Sequence, residues 1–123
     1  MRTAVREIET ADVLFDGYGT IRELAGVMTG LPQLGLAWVE VDAGALSPLH
    51  YHLKMSELYF VVEGRGEMWL DGEAFPVVAG QSVSIVPGVV HAIGNPGPGP
   101  LRFLVATSPS YDPDDDILVD VGP

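Results

Sequence analysis

The chain has 123 residues, 47% of them apolar, with 15 glycines, 10 prolines and no cysteine. This is enough to fill one compact core, which argues against wholesale disorder, and the lack of thiols excludes disulfides, thiolate metal sites and a cysteine nucleophile. A formal net charge of −11 with six Lys and Arg sets the surface against phosphate backbones and anionic lipid headgroups, so neither nucleic acid nor a membrane is an expected partner.

Residues 1–17 read as an N-terminal arm containing at most a short strand. Arg2, Arg6, Glu7 and Glu9 leave no apolar stretch there, so a signal peptide is not expected. No apolar run approaches the ~18 residues of a membrane span, and a cytoplasmic protein is expected. Strands are then expected at Tyr18–Leu24, between Gly17 and Gly26, and at Leu34–Asp42, ended by Ala43-Gly44. A short strand at Leu49–Leu53 follows Pro48, and Glu57–Glu63 is closed by Gly64. Gly66–Leu70 and Glu73–Val78 flank Asp71-Gly72, the signature of a type I′ hairpin turn. Ser82–Val86, His91–Gly94 and Leu101–Thr107 complete the set, and Ser108 begins an acidic, Pro-broken tail that reads as solvated. Breaks recurring about every eight to twelve residues, with no long 3.6-residue period, predict one all-β domain over residues 1–123 built as an antiparallel sandwich or barrel.

Chemistry concentrates in four residues. The three histidines are His50, His52 and His91. The first two are two residues apart, so in a strand both rings face the same way. Glu57 opens the next strand, and antiparallel pairing of these two strands would return its carboxylate to the histidines. His91 comes from a third strand. Three imidazoles and one carboxylate suit Mn, Fe, Ni, Co, Cu or Zn, and are too nitrogen-rich for Ca or Mg. On an octahedral ion, four protein ligands leave two positions open, which is catalytic in type. Tyr59 shares strand parity with Glu57 and is the favoured wall residue, while Trp38, Trp69 and Phe103 either line the cavity or pack the core. Ser82 and Ser84 read as strand serines facing water rather than nucleophiles. The Asp112–Asp116 cluster lacks the spacing of an EF-hand.

Gly44, His50, His52, Glu57 and Gly64 follow the spacing G-x5-H-x-H-x4-E-x6-G, and Gly80, Gly88, His91 and Asn95 follow G-x5-P-x-G-x2-H-x3-N, with Val86 in place of the first proline and Pro87 beside it. This stretch resembles the two motifs of the cupins, and the flanking strands extend the likeness over roughly residues 18–107. The resemblance implies a single-domain double-stranded β-helix, or jelly-roll barrel, with His50, His52, Glu57 and His91 as ligands of one divalent transition metal. It implies that the glycines and Asn95 are structural turn positions. A homodimer is also expected, formed by pairing the edge of Tyr18–Leu24 with a second copy.

The function expected is that of a metal-dependent enzyme on a small organic molecule, dioxygenase-like in the favoured form, with Glu57 and Tyr59 as catalytic candidates. An isomerase, lyase or cyclase is the alternative, and a non-catalytic small-molecule-binding module is a third possibility. Arg22 and Arg102 are the only basic residues in predicted strands. A phosphate ester would need a cationic clamp, so a neutral or aromatic ligand is expected.

Overall fold

Alternating apolar residues between closely spaced glycines and prolines give short strands with one face to bury. The computed structural model, which describes residues 5–119, contains β1 (Asp12–Asp16), β2 (Gly19–Ala25), β3 (Gly35–Val41), β4 (His50–Tyr51), β5 (Ser56–Glu63), β6 (Arg65–Leu70), β7 (Glu73–Val78), β8 (Ser82–Ile85), β9 (His91–Gly94), β10 (Leu101–Ser108) and β11 (Ile117–Leu118). Two antiparallel sheets form, in the orders β1-β2-β3-β10-β5-β8 and β11-β4-β9-β6-β7, the all-β jelly roll expected. Asp71 and Gly72 both have positive φ, 51° and 84°, as the predicted β6–β7 turn requires.

The first sheet explains where the cavity lies. Its register sets four inward rows across β3, β10 and β5: Val41 with Leu101, then Val39, Phe103 and Val61, then Ala37, Val105 and Tyr59, then Gly35, Thr107 and Glu57. Along β3 the inward side chain shrinks from valine through alanine to glycine. The first rows close on Met68, Val77 and Ile93 of the second sheet as a packed core, each such side chain contributing roughly 1.5–3 kcal/mol on burial. The last rows leave open space.

Two expectations about pairing are corrected. β4 and β5 are not neighbours: β4 lies in the second sheet against β9 and β11, and β5 in the first against β10 and β8. Glu57 therefore faces the histidines across the barrel rather than along a shared strand pair. The strand at residues 18–24 is not a free edge either, because β1 pairs with β2 on the side away from β3. A partner strand cannot add to β2.

Gly64 has φ +89°, and a Cβ there would run into the carbonyl oxygen of Pro100. Gly44 has a similar φ, +83°, with open space around it. Gly44→Ala is therefore expected to lose only the left-handed penalty, about 1–2 kcal/mol, and Gly64→Ala to lose more, roughly 3 kcal/mol or above. Urea unfolding of both variants checks this, and equal losses would refute the close approach at Pro100.

Candidate metal centre

β4 and β9 place His50 directly opposite His91, with ring centroids 4.2 Å apart. His52, just past β4, sits 5.2 Å from His50 and 5.5 Å from His91. Each ring is anchored through Nδ1 to a backbone carbonyl: His50 to Pro48 at 2.9 Å, His52 to Asp115 at 2.8 Å and His91 to Val89 at 2.9 Å. A carbonyl can only accept, so Nδ1 carries the proton, and in the neutral ring Nε2 presents its lone pair.

Glu57 reaches the same point from the opposite sheet. Its Oε1 lies 2.9 Å from His91 Nε2 and 3.0 Å from His52 Nε2. Despite these distances, none of the three atoms has a correctly angled hydrogen-bond partner, and all three are buried. They converge on a common point rather than bonding to one another. With His50, the four ligand atoms lie within 4.8 Å of each other and could hold a metal ion. Buried, unpartnered lone pairs beside a carboxylate are what a divalent cation would satisfy, so the residues fit such an ion.

The electrostatics agree. Burial pushes Glu57 up, but the imidazoles of His52 and His91 outweigh it and hold the carboxyl at about 2. Burial pulls His52 down, but Glu57 outweighs it and raises His52 to about 9. His50 is lowered, first by burial and then by the neighbouring His91. In the metal-free protein, a proton on His52 thus supplies the positive charge that a cation would bring.

The acidic tail is corrected from solvated to structural. Asp115 is 4% exposed. Its carboxylate accepts from the backbone N–H groups of Leu53, Lys54 and Met55 at 2.8–3.1 Å. Burial would raise its pKa, but those donors outweigh it and lower it. Its carbonyl orients His52, and β11 pairs with β4, Leu118 opposite His50. Asp115 went unrecognised because nothing in a run of acidic residues tells which one folds back.

The site opens into a cavity of about 470 Å³. Tyr59 and Phe103 form its wall, stacked with centroids 5.0 Å apart, and the Tyr59 ring stands edge-on to His91 at 6.1 Å. Burial, and then the charge of Glu57, raise the Tyr59 hydroxyl well above its ordinary pKa, so it keeps its proton. Trp38 and Trp69 do not line this cavity. Trp38 lies in a separate outer groove with Arg102, whose guanidinium is held by Glu40 and Glu63. Arg22 donates to the carbonyls of Glu9 and Ala11. Among the described residues, no lysine or arginine lines the cavity. Ser82 and Ser84 are exposed, as expected. Tail residues Tyr111, Pro113 and Asp116 and the buried Glu23 also line the cavity. Glu23 was legible only as a charge at the inward parity of Ile21.

This is the barrel and site of a cupin, and the chain belongs to that family: the cupin domain matches residues 37–107, which include all four candidate ligands. An uncharacterised protein of Methanocaldococcus jannaschii, MJ1618, is 39% identical over 97 residues, 77% of each chain. A sugar phosphate isomerase of the cupin superfamily from Silicibacter pomeroyi superposes with a TM-score of 0.70 at 26% identity, covering 83% of this chain and 73% of that one. KdgF from Halomonas superposes at 0.76 and 21% identity over 88% and 94% of the two chains, a likeness of fold. No helix among the described residues is long and apolar enough to cross a membrane.

Two outcomes follow. Asp115→Ala is expected to weaken divalent-metal affinity by about 10–100-fold through loss of His52 orientation, and to cost about 1–3 kcal/mol of metal-free stability from the unpaired donors. Titration with Co(II) and thermal melts check both, and unchanged affinity would show that the tail does not position His52. Because His52 rises to about 9 in the metal-free form, metal uptake at neutral pH should release a proton and tighten as pH rises towards about 9. For the metal-free fold the sign is opposite: the His52 contribution is complete below about 6.5 and is lost as pH rises through about 9. Proton release in weak buffer and pH-dependent melts are the measurements, and a pH-independent metal affinity would contradict them.

Proposed function

We propose that this chain is a metal-dependent cupin enzyme that holds one divalent transition metal (Mn, Fe, Ni, Co, Cu or Zn) through His50, His52, Glu57 and His91. It acts on a small neutral or aromatic organic molecule, with dioxygenase-like oxidation the favoured reaction. The observation that carries this reading is the convergence of unpartnered Nε2 and carboxylate atoms beside a cavity of about 470 Å³ with an apolar wall. A metal bound there would supply a Lewis acid for a substrate hydroxyl or enol and a route for electrons to O₂.

The chain's own residues have distinct roles in this reading. The three Nδ1–H bonds fix the imidazoles before any ligand arrives. Tyr59 and Phe103 exclude water and stack against a planar substrate. Tyr59, protonated throughout the physiological range, donates to a bound oxygen. Glu57 would help hold the metal, and its carboxylate is the candidate acceptor for a substrate proton.

A metal-dependent isomerase or lyase is the second reading, supported by the 26% likeness to the Silicibacter pomeroyi isomerase. The lining, without lysine or arginine among the described residues, favours an uncharged substrate over a phosphate ester. The reading also carries a cytoplasmic homodimer, tested by sedimentation mass.

Metal analysis of the reconstituted protein should give close to one ion per chain. His52→Ala should retain less than about 0.2 with its circular dichroism unchanged. Full metal retention in that variant would refute the ligand set. With Fe(II)-loaded protein and a panel of phenols and enols, oxygen uptake supports oxidation. Product without oxygen uptake supports the second reading.

A further inference from the structure

The cavity has a second carboxyl, on β2 of the first sheet, three strands away from β5 and Glu57. Glu23, on β2, is 6% exposed, lines the same cavity as Glu57, and its Oε1 has no hydrogen-bond partner. Thr107, also 6% exposed, has an unpartnered Oγ1 and also lines the cavity.

Two neighbouring backbone donors are already committed. In the turn beside Glu23, the Gly26 N–H donates to Thr29 Oγ1 and the Val27 N–H to Ser110 Oγ, both at 3.0 Å. The Arg6 guanidinium pairs with Asp12 at 3.1 Å. Burial raises the Glu23 pKa, with Arg6 opposing and Asp12 adding to the rise. A buried carboxyl kept for structure would accept from the protein. Glu23 Oε1 faces the cavity without a hydrogen-bond partner among the described residues.

The space between the two ends suits a ligand. Glu23 pairs across β2–β3 with Ala37, and Thr107 pairs with Gly35 on one side and Glu57 on the other. Glu23 stands in the row of Ala37, Val105 and Tyr59, three strand spacings or about 14 Å from Tyr59 along the sheet and one row from Glu57. Between them, β3 offers only Ala37 and Gly35, and β10 offers Val105 and Thr107, so the floor is lowest along β3.

We propose that Glu23, assisted by Thr107, is the specificity determinant of the cavity: it receives a hydrogen-bond donor, a hydroxyl or an amine, at the end of an elongated ligand whose other end sits at the histidine cluster. This rests on the metal-site reading above. The ligand class is then a molecule with a metal-chelating oxygen group at one end, an apolar middle and an O–H or N–H at the other.

The test uses Co(II)-loaded protein and hydroxamic acids, followed by the cobalt visible spectrum. Acetohydroxamic acid reports the chelating end alone. A graded series of linear hydroxamic acids ending in hydroxyl or amine, against counterparts ending in methyl, reports the far end. In the wild type, the best-fitting donor-ended compound should bind about tenfold or more tighter than its methyl counterpart. Glu23→Leu should erase that preference while acetohydroxamic acid binds as before. Glu23→Gln, which keeps an acceptor without the charge, should retain more of the preference for hydroxyl than for amine. Metal-free Glu23→Leu should also melt at a higher temperature than wild type, since it removes a buried, unpartnered carboxyl.

No preference in the wild type, a preference that survives in Glu23→Leu, or a lowered melting temperature in that variant would each overturn the assignment of Glu23. Failure of acetohydroxamic acid to bind at all would instead bring down the metal-site reading, and this inference with it. The two failures are thus told apart by the chelating end alone.

Discussion

Three hydrogen bonds from imidazole Nδ1 to backbone carbonyls govern the chemistry of this chain. Pro48, Asp115 and Val89 each accept from the Nδ1–H of one histidine, which in the neutral rings leaves the Nε2 lone pairs facing one point. If the rings carried the proton on Nε2 instead, the same residues would form a hydrogen-bonded cluster around Glu57 with no donor atoms left for a cation. The unpartnered state of His52 Nε2, His91 Nε2 and Glu57 Oε1 is therefore a consequence of where the backbone carbonyls lie. One of those carbonyls belongs to the tail, so the site is complete only when β11 has closed on β4.

The barrel separates stability from chemistry along its axis. At one end, Val41, Val61, Leu101 and Met68 are almost fully buried and pack across the two sheets. At the other, the inward row becomes Gly35, Thr107 and Glu57, and the space that large side chains would fill becomes the cavity. Polar groups collect there because the packed end pays for their desolvation and because two sheets can aim side chains at one another across an open interior. Glu57 and the histidines face each other in this way, from different sheets. The seven-residue register of β10 with β3, and that of β10 with β5 past a bulge at Arg102/Phe103, hold Glu57 in place within the first sheet.

The wall of the cavity bears on its occupant. Tyr59 and Phe103 stack, Val105 and Val39 extend the apolar surface, and Arg22 and Arg102 point elsewhere: Arg22 to carbonyls of the N-terminal segment and Arg102 to two glutamates on the outer face. The negative charge of the chain is thus reflected inside the cavity, where Glu23, Glu57 and Asp116 are found without a lysine or arginine among the described residues. A cation at the histidines would reverse the local field, which is the electrostatic sense of placing three imidazoles beside a carboxylate.

Much of this was legible in the sequence because it is local. Alternation fixed which residues of Glu57–Glu63 face inward, Asp71-Gly72 announced its turn, and the spacing of His50, His52, Glu57 and His91 marked the candidate ligands. What the sequence could not supply was which strands meet. His50, Glu57 and Asp115 are brought together by contacts between residues far apart in the chain, and their pairing depends on register and sheet order, which period-2 patterning leaves open. Hence the expected β4–β5 pairing and the expected free edge at residues 18–24 both gave way to the observed topology. The tail gave the sharpest lesson: among the acidic residues from 112 to 116, only the fold selects Asp115, because only there do three backbone N–H groups wait for a carboxylate. Residue types and spacings determined the chemistry available to this protein, and long-range pairing decided which of those groups share a cavity.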